Sequence, residues 1–154
     1  MKPRRESRRL PFIRQVESCE CGLACLGMIA AYHGCEIDLA GLRRRAASSR
    51  RGTSLAQLGE IAATLGLDSR PLSLKPDELA QLRMPCILHW DGNHFVALAE
   101  GDTRHFIIHD PLSGVRELTG ADIANHFSRA ALELWPRVDL LMARRSRRTS
   151  TCMS

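Results

Sequence analysis

The spacing of apolar residues changes once along this chain of 154 residues, and that change constrains the fold more than any other feature. Between about residues 20 and 82, apolar residues recur at the period of an amphipathic helix. From Pro85 onward they recur at the period of a strand. Helices followed by a run of strands are typical of an α+β fold. The sequence therefore predicts a helical N-terminal half packed on a C-terminal antiparallel sheet.

Capping residues mark the helices of the first half. The apolar segment LACLGMIAAY is followed by Gly34, a common helix stop. Asp38 and Ser54 precede LAGLRRRAA and LAQLGEIAATL, where their side chains are suited to cap the first turn. Pro76 is suited to start a short helix, PDELAQL. Four helices are predicted before the strands begin.

The second half is predicted to be a meander with one helix in it. Turn sequences such as DGN, GDT and PLSG separate the predicted strands, and the segment ADIANHF reads as a helix before the last of them. The predicted strands are CILHW, HFVALAE, RHFIIHD, GVRELT and ALELW. A cleft between the helices and this sheet is the natural place for a site.

Positive charge is concentrated at the two ends of the chain. The net charge is +5, yet residues 10–143 hold 13 basic and 16 acidic side chains. A duplex-binding protein carries its positive charge on the folded body, so we do not expect nucleic acid as a partner. Basic ends are compatible with a nearby anionic membrane surface or with solubility alone. We expect a basic arm over residues 1–10 and a basic tail over 138–154.

The sequence predicts a soluble, intracellular domain. No window approaches the roughly 18 to 20 apolar residues that a membrane span needs. The N-terminus, MKPRRESRRL, is basic but has no apolar run behind it, so it does not read as a secretory signal.

Of the six cysteines, Cys21 is the best candidate for a reactive thiol. It lies where the loop ECG enters a helix, and the positive end of a helix dipole favours a thiolate. Cys25 lies one turn deeper on the same face, so we expect it to be buried and inert. Cys19 is expected to be exposed in the preceding loop. A thiol-linked metal or redox centre at Cys19, Cys21, Cys25 and Cys35 is an alternative, although the spacing only loosely resembles a zinc site.

His94 and Asp110 are predicted to form an orienting pair. If Glu100 pairs with Arg104 across the GDT turn, then His94 lies directly opposite Asp110, with both side chains on one face of the sheet. The other members of that face are apolar, so we expect it to pack inward on the helices; they are Val96, Leu98, Phe106 and Ile108. A carboxylate beside an imidazole fixes its tautomer, as general base catalysis requires.

A side-chain amide upstream of the thiol is suited to stabilise an oxyanion. Gln15 is the only glutamine or asparagine between residues 1 and 56. Together with a backbone N–H at the start of the nucleophile's helix, it would complete a site for acyl transfer.

In combination these segments closely resemble the bacteriocin-processing cysteine peptidase domain of peptidase-containing ABC transporters, nearest to the colicin V type. The resemblance covers about residues 11 to 137 and is carried by Gln15 six positions before Cys21, by ECGLACLGMIAAYHG, by PCILHWDGNHFVAL and by IIHDPLSG. It implies a papain-like fold over residues 11–137. It also implies that Cys21 is the nucleophile, His94 the general base and acid, Asp110 the orienting group and Gln15 an oxyanion donor.

The resemblance further implies cleavage of leader peptides after a double-glycine motif, coupled to export, at the cytoplasmic face of the bacterial inner membrane. The implied partners are a precursor peptide and the transmembrane and ATPase parts of a transporter, with the membrane reached only through those parts. The tail, residues 138–154, is then expected to lead into a transmembrane domain, since basic residues commonly flank the first span. No cofactor or metal is expected for the peptidase, and ATP only for the transporter part. The alternative function is a non-catalytic docking domain that captures the precursor for transport.

Overall fold

In this computed structural model, the structure describes residues 9–46 and 53–138. Four helices and six strands alternate with two 3-10 helices, Ser18–Glu20 and Pro76–Gln81. In chain order they are α1 Cys21–Tyr32, α2 Leu39–Arg45, α3 Leu55–Thr64, β1 Leu67–Ser73, β2 Cys86–Trp90, β3 His94–Gly101, β4 His105–Asp110, β5 Gly114–Thr119, α4 Gly120–His126 and β6 Phe127–Pro136. The predicted α+β class, with helices first and an antiparallel sheet after, is confirmed.

The caps predicted from the sequence are present. The Asp38 side chain accepts from the N–H of Gly41 at the start of α2, and Ser54 accepts from Gln57 at the start of α3. The fourth predicted helix forms as the 3-10 helix Pro76–Gln81. Within the described ranges, no helix is long and apolar enough to cross a membrane.

The sheet has six antiparallel strands in the order β1-β6-β2-β3-β4-β5. The predicted meander is correct for β2 to β5 and wrong for β6, which returns between β1 and β2. No strand is predicted at β1, because its sequence, LDSRPLS, has few apolar residues and contains Pro71. An edge strand tolerates both features, and its pairing with β6 is a long-range contact that no local pattern records.

Two apolar clusters cover the two faces of the sheet. The first buries α1 against Ile87 and Ala97, and every residue of α1 from Cys21 to Ala30 is buried. The second contains Leu79 and Ile123, from the 3-10 helix and α4. The face with Val96, Leu98, Phe106 and Ile108 belongs to this second cluster. That face does pack inward, but on these short helices and not on α1 to α3.

Candidate active site

Cys21 is the first residue of α1, as predicted, and it follows directly on the 3-10 helix Ser18–Glu20. Its side chain is 6% exposed and lines a cavity. The helix start approaches the sheet closely because the next residue is Gly22, where an added Cβ would lie 3.0 Å from Leu58 and 3.2 Å from Phe95. The thiol is therefore held at the edge between the helical half and the sheet.

The other thiols differ from Cys21 as predicted. Cys25 is fully buried one turn further along α1, and burial raises the pKa of its thiol well above the usual value. Burial likewise raises the pKa of Cys86 on β2. Cys19 is exposed. Among these, only Cys21 combines a helix start with access to a neighbouring imidazole.

His94 and Asp110 contact each other. His94 begins β3 and Asp110 ends β4, and Nε2 of the imidazole lies 2.8 Å from Oδ1 of the carboxylate. Asp110 also accepts from the N–H of Leu112 at 2.9 Å and from the hydroxyl of Ser113 at 2.8 Å. These two hydrogen bonds fix the position of the carboxylate that contacts the ring.

The strand register that brings them together is not the predicted one. Leu98 pairs with Ile108 and Gly101 with Phe106, with a bulge between Leu98 and Glu100, so the predicted Glu100–Arg104 pairing is wrong. When this register is continued to the first residue of β3, Asp110 lies diagonal to His94 and not directly opposite it. The offset is two residues, an even number, so both side chains stay on one face of the sheet and remain in contact.

The electrostatics favour a charged pair. The hydrogen bond that His94 donates to Asp110, followed by one with Cys21, raises the pKa of His94 to about 9. Burial alone would raise the pKa of Asp110, but hydrogen bonds from His94, Leu112 and Ser113 bring it down to about 2. Because Nε2 faces the carboxylate, Nδ1 is the nitrogen left to face the sulfur. The arrangement can take a proton from the thiol and return it to a leaving group.

Gln15 lies in the same cavity as His94 and Asp110. Its main-chain N–H donates to the carbonyl of Pro111 at 3.0 Å, which attaches it to the end of β4. Its side-chain Nε2 donates to the carbonyls of Glu17 at 3.1 Å and Ser18 at 3.4 Å. The four residues predicted for the site therefore converge on one region: His94 contacts Asp110 and interacts with Cys21, and Gln15 lines the same cavity as His94 and Asp110.

Glu20 ties the Gln15 segment to the start of α1, and sequence reasoning missed it. This buried carboxylate accepts from the N–H groups of Val16 and Glu17 and pairs with Arg43 on α2. The hydrogen bond with Arg43 lowers the pKa of Glu20. The signal in the sequence was an acidic residue directly before Cys21. A carboxylate buried there needs hydrogen-bond partners, but its burial is visible only in the structure.

Two cavities adjoin the reacting groups and share Ser18 and Asn93. The first, about 510 Å³, contains Cys21 but not His94; its wall includes Thr53, Gln57, His89 and Phe95. The second, about 580 Å³, contains His94 but not Cys21; its wall includes Gln15, Trp90, Asp91, Arg116 and His126. Apart from Cys21, Gln15, His94 and Asp110, these lining residues were not predicted, because their convergence depends on tertiary structure.

A metal centre at the cysteines would need several ligands close together. Within residues 9–46 and 53–138, no three His, Cys, Asp or Glu side chains are grouped so as to hold a metal ion. The chemistry accessible to the contacting groups is that of a thiol, an imidazole and a carboxylate in series.

Comparisons with known proteins point to the same chemistry. The model of the Peptidase C39 family matches residues 9–139. The chain is 48% identical over 134 residues to the probable microcin-H47 secretion/processing ATP-binding protein of Escherichia coli, covering 87% of this chain and 19% of that protein. It is 47% identical over 132 residues to the colicin V secretion/processing ATP-binding protein of E. coli, covering 86% and 19%. The chain thus spans about a fifth of the length of these curated relatives.

Solved structures share the fold. A double glycine motif protease from an AMS/PCAT transporter, in complex with the leader peptide, superposes with a TM-score of 0.78 at 30% identity, covering 84% of this chain and 93% of that one. The peptidase domain of Streptococcus ComA superposes with a TM-score of 0.75 at 22% identity, covering 83% and 99%. The predicted papain-like cysteine peptidase architecture is confirmed at this level.

Proposed function

Because the chain belongs to the Peptidase C39 family of cysteine peptidases, we propose that it removes the leader peptide from bacteriocin or microcin precursors after a Gly-Gly motif. The observation that carries the proposal is the contact series from Cys21 through His94 to Asp110. The printed names of the relatives, which refer to secretion and processing, support the substrate class.

The proposed mechanism is acyl transfer through Cys21. The thiol gives its proton to His94, and the sulfur attacks the carbonyl carbon of the second glycine. His94 then protonates the departing amine, which leaves as the mature peptide. Water, deprotonated by the same imidazole, hydrolyses the thioester and releases the leader with a free carboxylate. Asp110 stays ionised throughout and holds the ring in place.

Gln15 is proposed to stabilise the oxyanion with the backbone N–H of Cys21. Its Nε2 currently donates to two carbonyls, of which the one at Ser18 is the longer at 3.4 Å. A rotation of the whole amide would exchange this longer bond for one to the developing negative charge. A donor already fixed near the reacting carbonyl is the arrangement that oxyanion stabilisation requires.

The setting of the activity is also part of the proposal. We infer a domain at the cytoplasmic face of the bacterial inner membrane, with residues 11–137 forming the peptidase and 138–154 leading toward the transmembrane part of an ABC transporter. The names of the relatives, as ATP-binding secretion proteins, support this setting. Cleavage itself uses no cofactor, and ATP serves only the transporter part.

Mass spectrometry of a cleavage reaction tests the proposal. The chain, without ATP, is incubated with a precursor carrying a Gly-Gly leader and with a matched precursor in which both glycines are alanine. We expect one cut after the second glycine and about a hundredfold slower cleavage of the alanine precursor, since the proposed specificity for Gly-Gly requires that side chains at the scissile bond be excluded. Binding without cleavage would instead identify a docking domain.

A further inference from the structure

The two cavities beside the reacting groups differ in which catalytic side chain they contain. During acyl transfer the leader becomes bonded to the sulfur, while the leaving amine must lie against the imidazole that protonates it. The cavity with Cys21 therefore suits the leader side, and the cavity with His94 suits the departing side. We propose that the cavity with His94 binds the first residues of the mature peptide, an inference that rests on the proposed function.

The wall of this cavity is built as a rigid polar surface. The His126 ring stacks on Trp90 at 5.3 Å between centroids and 11° between planes, and its Nδ1 lies 2.7 Å from Oδ1 of Asp91. Trp90 is buried and pairs with His94 across β2 and β3. The His126 side chain remains 40% exposed toward the cavity, so it is fixed on one side and free to contact a peptide on the other.

The turn that carries Asp91 is fastened to the same wall. The N–H of Asp91 donates to the carbonyl of His126 at 2.8 Å, and the N–H of Gly92 donates to the hydroxyl of Ser128 at 2.7 Å. Asp91 adopts a positive φ of 53°, a conformation that non-glycine residues rarely hold without such support. The cavity wall and the strand that presents His94 are thus one fixed unit.

The rim of the cavity is apolar and exposed. Val16 is 71% exposed and Leu112 is 62% exposed, and both line it. They lie one residue beyond Gln15 and Pro111, which are joined by a backbone hydrogen bond of 3.0 Å, so the two apolar side chains come from adjacent segments. Together the rim and the wall suit an extended peptide with an apolar side chain at the rim and polar groups facing Asp91, Arg116 and His126.

Two substrates with one leader test the assignment. One ends in an aminocoumarin attached to the second glycine, and the other continues into the first six mature residues of the precursor. We compare the ratio of kcat/KM for the long substrate to kcat/KM for the short one. We expect His126→Ala to lower this ratio about tenfold and Leu112→Ser about threefold, because only the long substrate extends mature-peptide residues past the leaving amine onto these side chains.

The matched control is His89→Ala, the same exchange in the cavity with Cys21. His89 also contacts an aromatic ring, that of Phe95 at 5.1 Å, and both substrates share the leader that would contact it. Its ratio should match that of the wild type. If the ratio is unchanged in both His126→Ala and Leu112→Ser while the wild type is active, this cavity does not bind the mature peptide, and the proposed function is unaffected. A wild type that cleaves neither substrate would overturn the proposed function and the assignment with it.

Discussion

The helical half positions its candidate catalytic group locally, whereas the sheet positions its candidate groups through long-range pairing. Cys21 needs only the start of α1 and the glycine after it. His94 and Asp110 lie 16 residues apart in the chain and meet only when β3 and β4 pair in the right register. The thiol and the His94–Asp110 pair can therefore be disabled independently of each other, and separate substitutions measure the contribution of each.

The largest effect is expected at the helical half. Cys21→Ala removes the proposed nucleophile, so cleavage of a Gly-Gly precursor should fall by at least about 10⁴-fold while precursor binding is retained. Single-turnover cleavage and fluorescence anisotropy with a labelled precursor measure the two quantities. A variant that still cuts would remove Cys21 from the mechanism.

The next effect is expected at the sheet. Asp110→Asn should lower kcat by about 100-fold with little change in KM, because the imidazole loses its orienting anion. The hydrogen bond with Asp110 is the main cause of the raised pKa of His94, so the alkaline limb of the kcat profile should also move to lower pH. A pH series from 5 to 10 measures both. A raised KM with an unchanged kcat would mean that Asp110 binds substrate instead.

The sheet pair should also contribute to stability in a pH-dependent manner. A pKa of His94 raised from 6.5 to about 9 stabilises the fold fully below pH 6.5, and this contribution is lost as the pH rises through 9. The free energy of unfolding of the wild type relative to His94→Gln should therefore decrease by about 2 kcal/mol between pH 6 and pH 9.5. Urea unfolding at the two pH values measures it. An equal difference at both would mean that the ion pair does not form.

The connection between the segment with Gln15 and the start of α1 should matter less. Glu20→Ala removes the acceptor for two backbone N–H groups and leaves Arg43 without its partner, so kcat should fall about tenfold. Glu20→Gln keeps an oxygen acceptor and should restore most of that loss. Steady-state kinetics of both variants measure the rescue, and equal losses would show that the backbone hydrogen bonds do not position Gln15.

The smallest effect is expected one turn beyond the nucleophile. Cys25→Ala changes packing in the core only, so activity should stay within about twofold, and stability should decrease by about 1 kcal/mol. Kinetics and thermal unfolding measure the two. A loss of activity equal to that of Cys21→Ala, with the fold intact, would contradict the assignment of Cys21 as the nucleophile over Cys25.

The same contrast explains what could be predicted from the sequence. The helix start at Cys21 and the caps at Asp38 and Ser54 depend on neighbours within a few residues, and all three were predicted correctly. The predicted register of β3 and β4 was wrong because a bulge after Leu98 shifts the pairing, and no pattern in the sequence marks that bulge. The pair survived that error because the offset was even.

Other parts of the site depend on long-range contacts that no local pattern records. β1 was missed because its pairing with β6, not its composition, makes it a strand. The attachment of Gln15 to Pro111, and the stacking of His126 on Trp90, each join segments distant in the chain. The sequence could therefore indicate which residues lie together at the candidate site, but not which surfaces surround them.

Covalent labelling of the wild type shows whether the sulfur of Cys21 is the nucleophile. A leader peptide whose final Gly-Gly carries a vinyl sulfone in place of the scissile amide is incubated with the wild type and with Cys21→Ala, followed by intact mass measurement and peptide mapping. We expect one leader per wild-type chain, attached to the sulfur of Cys21, and no labelling of the variant. Labelling at Cys19 or Cys25, or equal labelling of the variant, would contradict it.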